Sequence, residues 1–492
     1  MQMNVTDWQH KQLESSTHKL GQVIFPVEFV IRLHQRICTP KQEVLAMTMQ
    51  GARIMETSDD RSVSEEDQTL MGHNKHGLTV LTCAIFMVGQ MAGSGVLALP
   101  DALEKTGWIG IVVIALICAA CAYTGTILGR CWSIVQDRYP EMRGHVRYPY
   151  PAMGEITFGT PGRLLISIAA NSAMFGGATV FMLLASQNLQ LVVAHLFHKD
   201  LSFCVWLLVL AGILIPCTWP GTPKDFWPVA VGAMTATGLA CIVLVVAMAT
   251  DPRSVAPVVH REVDLLSFAM AFGTIAFSSC GHPAFPTFQT DMREPAKFGR
   301  AACLAYLVMA AMYLPVAITG YYVYGQNVKE NVLQTVSAGT PLLIVELLIT
   351  GHLVCSYIIV INPVCQEVED IIGISKNFSV RRVLIRTMIS LLVLFVAESV
   401  PHFGAVLSLV GGSFLTLLAF VAPPVLYLKL TSTASDQWEA VPVPLHVKVL
   451  NVEIILVGMV AGVAATYSAV KVLASPNTFT PPCYVNMTAA SG

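Results

Sequence analysis

Polar, mixed-charge residues fill positions 1–76, and the character of the chain changes at Gly77. From there apolar residues come in runs of about 20, the length of helix that crosses a hydrocarbon core. Eleven runs can be bounded: 78–100, 107–131, 163–192, 203–220, 226–249, 265–290, 300–324, 340–362, 383–400, 402–428 and 449–473. Runs nine and ten are divided only by Val400-Pro401-His402, which predicts a tight helical hairpin. The pattern predicts an all-α polytopic membrane protein with about 11 transmembrane helices over residues 77–475. A flexible tail, 1–76, precedes this domain and a short tail, 476–492, follows it. The apolar patch Val23 to Ile31 in the first tail is too brief to span.

Composition sharpens this picture. The chain is 54% hydrophobic and 12% charged, against about 25% charged for a soluble domain. A net charge of −2 gives no reason to expect a nucleic-acid partner. Most of the 13 cysteines fall inside apolar runs, where a thiol packs as a small hydrophobe. Cys118 and Cys121 form a C-x-x-C, but no second pair stands near it, so packing is the better reading than redox or zinc chemistry. No basic start followed by an apolar core marks a signal peptide, so the first span is expected to direct insertion. With the N-terminus in the cytosol, fifteen Lys and Arg fall in cytosolic loops and six on the other side. Eleven spans then put the C-terminus in the lumen or outside the cell. There Asn486-Met-Thr488 is a glycosylation sequon, whereas those at Asn4 and Asn377 would be cytosolic.

Two runs are interrupted in ways that membrane helices avoid. The first contains Gly93-Ser94-Gly95 followed by Pro100, and the sixth contains Phe277-Ser278-Ser279-Cys280-Gly281-His282-Pro283-Ala284-Phe285-Pro286. Glycine weakens a helix and proline removes a backbone donor. Non-helical backbone at membrane depth is tolerated only inside protein or beside a cavity. Interruptions near the start of two five-helix blocks match the inverted-repeat carriers, in which half-helix N-termini face anions and unwound carbonyls face cations. An amino acid zwitterion carries both charges. The N–H groups at Gly93, Ser94 and Gly95 are the expected carboxylate site, with carbonyls or hydroxyls of Phe277, Ser278 and Ser279 for the ammonium. The bland alternative is that the glycines pack helices and the prolines kink them. Gly93-x-Gly95-x-x-Ala98 mimics a dinucleotide fingerprint, but no strand precedes it and Pro100 follows.

Ionisable residues inside spans are functional suspects. His282 lies in the broken sixth run and is the first proton candidate because it adjoins the proposed cavity. His352 lies in the eighth, one turn before Ser356. Glu346 and Glu398 lie nearer span ends. The alternative for each is a packed, hydrogen-bonded residue.

At these residues the sequence resembles the amino acid/auxin permease family, in particular its vacuolar and vesicular amino acid transporters. The stretches that carry the resemblance are Gly93-Ser-Gly-Val-Leu-Ala-Leu-Pro100, Ala122-Tyr-Thr-Gly-Thr-Ile-Leu128, Phe272-Gly-Thr-Ile-Ala-Phe277 with Gly281-His-Pro-Ala-Phe-Pro286, Asp291-Met-Arg-Glu-Pro-Ala-Lys-Phe298, and Val400-Pro-His-Phe403. They run in order across residues 77–430. The resemblance implies a five-plus-five inverted-repeat (LeuT-like) fold with helices 1 and 6 broken, and amino acid transport that is usually proton-linked. Sodium-coupled relatives carry an asparagine where this chain has Gly89, which has no side-chain ligand to offer; Ser356 could still supply one hydroxyl. In the tail, Glu66-Asp-Gln-Thr-Leu70-Met71 resembles an acidic dileucine sorting signal read by adaptor proteins, which favours an endolysosomal or vesicular membrane over the plasma membrane.

The expected function is secondary active transport of neutral amino acids, coupled to or exchanged for protons. The competing reading is a nutrient sensor that binds an amino acid in the same site and signals through its tail. No nucleophile with a base, acidic metal motif or phosphate loop points to an enzyme, and no metal or other cofactor is expected.

Overall fold

The computed structural model describes residues 77–486 apart from His145, 199–200, 221–226, 256–257, Arg261, Lys376 and 476–480. The expected sorting signal at Glu66, Leu70 and Met71 lies outside the described residues. The described chain is helical, with two isolated β-bridges and no strand. Its α-helices are α1 (Val80–Met91), α2 (Ser94–Thr106), α3 (Ile109–Arg138), α4 (Pro149–Phe158), α5 (Thr160–Phe197), α6 (Phe203–Thr218), α7 (Trp227–Ala249), α8 (Leu265–Ser279), α9 (Phe285–Thr290), α10 (Phe298–Tyr324), α11 (Thr340–Ile372), α12 (Val380–Ser399), α13 (Phe403–Val410), α14 (Ala422–Ser432) and α15 (Leu445–Ala474).

Eight continuous segments are long and apolar enough to cross a bilayer, and α1 with α2 forms a ninth that bends by 63° at its break. The remaining two of the eleven runs are α6, with 16 residues, and α12, with 20. The latter carries Arg381, Arg382, Arg386 and Glu398. Arg386 is 1% exposed and gives its guanidinium to Glu369 on α11, to the Thr218 carbonyl and to Asn362 Oδ1. A buried cation so paired is compatible with a span, because its charge is met inside the protein rather than in lipid. Each crossing reverses direction. The start of α1 therefore marks a near face, and the C-terminal residues lie at the far face.

Helix ends extend past the apolar windows, because hydropathy marks only the part that lies in lipid: α5 reaches Phe197 and α11 reaches Ile372. The short helix α4 lies where the hydropathy pattern gives a connecting stretch. Pro149 sits in its first turn. Gly154 and Gly162 let it fold back on α5: a Cβ on Gly162 would collide with the Gly154 carbonyl oxygen. α5 packs along α11, and α7 packs on α11's other flank, so these helices frame the broken spans. α8 lies against α2, and α10 packs on α1, α2, α3 and α7.

The tenth span changes winding where it meets the sixth. Residues Gly411–Leu415 and Leu417–Val421 are π-helical, and a Cβ on Gly411 would collide with the Gly273 carbonyl of α8. Widened turns of this kind are frequent at functional sites. At the far face a disulfide joins Cys204, at the start of α6, to Cys483.

Candidate functional site

Both predicted interruptions are present. α1 ends at Met91 and α2 begins at Ser94. Between them Gly93, at φ 175° and ψ −114°, takes the N-cap position, and no side chain caps the new helix. The leading N–H groups of a helix have no intrahelical partner and carry its positive dipole end. In the sixth span α8 stops at Ser279, a 3-10 turn covers His282–Ala284, and α9 resumes at Phe285. The two breaks touch, because a Cβ on Gly281 would stand 2.7 Å from Met91 Cγ.

A central cavity of about 60 Å³ lies between the breaks, space for about four waters. Gln90, Ser94, Phe277, Cys280 and Gly281 contribute to its wall from the broken spans, and Phe181, Val360 and Leu415 from the third, eighth and tenth. No lining residue is charged. Ser94 is 1% exposed and its hydroxyl has no partner.

The other candidates divide. Gly93 and Gly95 lie at close contacts: a Cβ on Gly93 would stand 2.7 Å from His352 Nε2, and one on Gly95 would stand 2.6 Å from Ser278 Cα. Phe277 lines the cavity, but Ser278 and Ser279 do not, and their carbonyls are occupied. Tyr313 donates to the Ser278 carbonyl at 3.0 Å, with the Met91 carbonyl 3.3 Å away, and Tyr306 donates to the Ser279 carbonyl at 2.9 Å. The Ser278 hydroxyl donates to the Thr274 carbonyl. These two tyrosines are seven residues apart on α10 and therefore share one face. The sequence reading missed them, because a tyrosine in an apolar run carries no local mark.

His282 is fully buried but does not line the cavity, although its neighbours Gly281 and Pro283 do. Its Nε2 lies 3.0 Å from the Thr124 hydroxyl on α3. The 3-10 turn rotates it away from the side that its position in the sequence implied. His352 does not line the cavity either, but it abuts the first break at Gly93. Its Nδ1 lies 3.2 Å from the Ala233 carbonyl and 3.1 Å from the Thr237 hydroxyl. A carbonyl only accepts, so that contact assigns the proton to Nδ1 and leaves Nε2 to accept from the Ser356 hydroxyl at 3.2 Å. Glu346 meets His195 at 3.1 Å near the far face. Cys118 and Cys121 face the sixth-span break, 3.8 Å from Ser279 Oγ and 3.9 Å from Cys280 Sγ. Asn486 is exposed at the far face.

Among the described residues one group, Cys204, Cys483 and Glu398, has metal-binding spacing. Its cysteines are joined as a disulfide and offer no thiolate. A second, polar cavity of about 590 Å³ opens at the far face beside Asp101, Lys105 and Glu330. Asp101 lies seven residues beyond Ser94 on α2, about 10 Å along the axis, so this helix links the outer vestibule to the central cavity.

The model of the transmembrane amino acid transporter proteins matches residues 76–468. The chain belongs to that family. Its curated relatives are transporters, not enzymes. In Arabidopsis thaliana, amino acid transporter AVT1B is 24% identical over 407 residues, covering 80% of this chain and 71% of the relative. AVT1J, from the same plant, is 24% identical, covering 84% of this chain and 95% of the relative. Lysine histidine transporter-like 3 is 26% identical, covering 79% and 89%. The AVT1 matches agree with the branch that the sequence motifs resemble. Among solved structures, MhsT in complex with L-phenylalanine superposes with a TM-score of 0.53 at 12% identity, covering 80% of this chain and 100% of MhsT. A mutant of the manganese transporter of Eremococcus coleocola gives 0.51 at 12%, covering 88% and 93%. Membership in the family makes amino acid transport the activity of this chain.

Proposed function

We propose that the protein is a secondary carrier of small neutral amino acids, linked to protons, in an endolysosomal or vesicular membrane with its N-terminus in the cytosol. The observation that carries the substrate reading is the uncapped start of α2, with the unpartnered Ser94 hydroxyl beside an uncharged 60 Å³ cavity. The substrate carboxylate docks on the N–H groups from Gly93 to Gly95, where the helix dipole favours an anion. Its ammonium faces the end of α8 at Phe277, and its side chain enters the apolar wall. One relative is named for lysine and histidine, but a cationic side chain needs a carboxylate, and none lines this cavity.

His352 is the proton carrier in this reading. A proton on Nε2 sets a positive charge beside Gly93 and strengthens the hold on the carboxylate; its release weakens that hold. Substrate and proton binding are then linked in both directions. The orientation rests on the Lys/Arg bias and on the Cys204–Cys483 bond, since disulfides persist in lumenal or extracellular compartments.

Reconstituted flux tests the proposal. Alanine uptake into proteoliposomes is expected to exceed lysine uptake and to rise with an imposed pH gradient. His352→Gln keeps a donor and an acceptor but cannot bind a proton, so it should lose the pH stimulation, whereas His282→Gln should keep it. Equal lysine flux would remove the neutral specificity. An unchanged pH profile in His352→Gln would remove His352 from the coupling.

A further inference from the structure

The largest motif left without a role is Asp291-Met-Arg-Glu-Pro-Ala-Lys-Phe298, and it borders a cavity of its own. This recess of about 490 Å³ lies at the near face between α3, the end of α9 and the start of α10. Two arginines line it, Arg130 from α3 and Arg300 from α10. Both are exposed, and among the described residues neither forms a hydrogen bond or ion pair. No carboxylate is in the lining. Lys297 is engaged by Glu294 at 2.5 Å, and no side chain caps the start of α10, whose first residues, Phe298 to Arg300, are part of the wall. Guanidinium groups and a bare helix N-terminus together favour an anion with several acceptor oxygens.

A second observation concerns Gln289, 1% exposed and also in the lining. Its Nε2 donates to the Gly129 carbonyl at 3.0 Å and to the Ser133 hydroxyl at 3.1 Å, which fixes the amide orientation. Oε1 is then buried with no donor. The site therefore offers positive charge for a phosphate and one acceptor for a hydroxyl beside it. Its rim is open to lipid: Cys303, one turn along α10, is exposed in the lining, and Leu307 beyond it is 68% exposed.

We propose that this recess binds the phosphorylated inositol headgroup of a membrane lipid, with Arg130 and Arg300 on the phosphate, Gln289 accepting from a ring hydroxyl and the acyl chains lying along α10. The orientation proposed above would put that lipid in the cytosolic leaflet, where basic pockets between spans meet anionic headgroups. The chemistry itself does not depend on the orientation.

The test is thermal stability of the purified full chain, titrated with dioctanoyl phosphatidylinositol phosphate, dioctanoyl phosphatidylcholine, dioctanoyl phosphatidylserine or soluble inositol phosphate. The phosphoinositide is expected to stabilise the protein and the choline lipid to have no effect. Arg130→Gln or Arg300→Gln should each weaken the titration about fivefold, and the double variant about 30-fold. A cooperative melt of each variant without lipid, at the temperature of the unsubstituted chain, checks that it has folded. Unchanged affinity in the double variant, or equal binding of the choline lipid, would overturn the site. Equal binding of the serine lipid would overturn the role of the ring hydroxyl. Equal binding of soluble inositol phosphate would overturn the lipid as the source. None of these outcomes depends on whether the carrier is proton-linked.

Discussion

The two broken spans differ in what they do with the backbone they free. At the first break the new helix starts without a side-chain cap, and Ser94 faces the cavity with an unpartnered hydroxyl. At the sixth, Tyr306 and Tyr313 donate to the Ser279 and Ser278 carbonyls from behind, and His282 turns to Thr124. An unsatisfied polar group in a protein interior costs about 1–3 kcal/mol, so it persists where a ligand completes it. In the function proposed above, the first break is left open to grip the substrate, while the carbonyls of the second are braced by two tyrosines, although His282 Nδ1 there is also without a partner.

The sharpest way to break this contrast is to separate the two spans. Gly95→Val would drive a side chain into the Ser278 backbone, where even a Cβ stands 2.6 Å from Cα. It should cost about 3 kcal/mol or more through overpacking and abolish transport. Thermal melts and uptake together check this; a normal melt with normal uptake would mean that the breaks need no contact. Next comes the brace. Tyr313→Phe leaves the Ser278 carbonyl without its donor and should lower stability by about 1–3 kcal/mol, with slower transport even where expression holds.

Ser94→Ala should act the other way, leaving the melt unchanged because its hydroxyl has no partner, while KM rises about fivefold for a lost hydrogen bond of about 1 kcal/mol. Ser278→Ala, whose hydroxyl bonds within its own helix, should leave KM unchanged. A larger KM effect at Ser278 than at Ser94 would reverse the assignment of the two breaks.

The smallest effect lies outside the spans, at Asp251 on the far face. Burial alone would raise its pKa, but hydrogen bonds from the Arg253 and Ser337 backbone N–H groups and from the Tyr324 and Ser337 hydroxyls lower it below the ordinary carboxylate value. A depressed pKa contributes stability that is present above the ordinary carboxylate range and lost as pH falls through the folded value. Asp251→Asn should therefore lower the melting temperature equally at pH 7 and pH 5, with the difference closing only below about pH 4. A gap that closed between pH 7 and pH 5 would show that this contact responds to compartment acidity.

The breaks themselves were legible in the sequence because glycine and proline act locally: Gly93, Gly95, Gly281, Pro283 and Pro286 each act on their own stretch of backbone. Which way a side chain faces inside a break was not, because the 3.6-residue phase is lost there, and His282 emerged on the far side of its turn from the cavity. Tyr306 and Tyr313 stayed hidden for a related reason, since their value lies in carbonyls some 30 positions earlier in the chain. The π-helical turns of the tenth span have only the Gly411-Gly412 pair as a local sign, and hydropathy does not register winding. Thirteen cysteines left the partner of Cys204 undetermined, because pairing depends on which chain segments meet at one end of the bundle.

The Cys204–Cys483 bond also bears on the order of assembly. Its two halves are 279 residues apart in sequence, with every span from the fourth to the last between them. The ribosome must therefore finish the last of these before the second sulfur is available. Until then this bond cannot close, so the disulfide ties the fourth span to the end of the chain only after the whole bundle has been made.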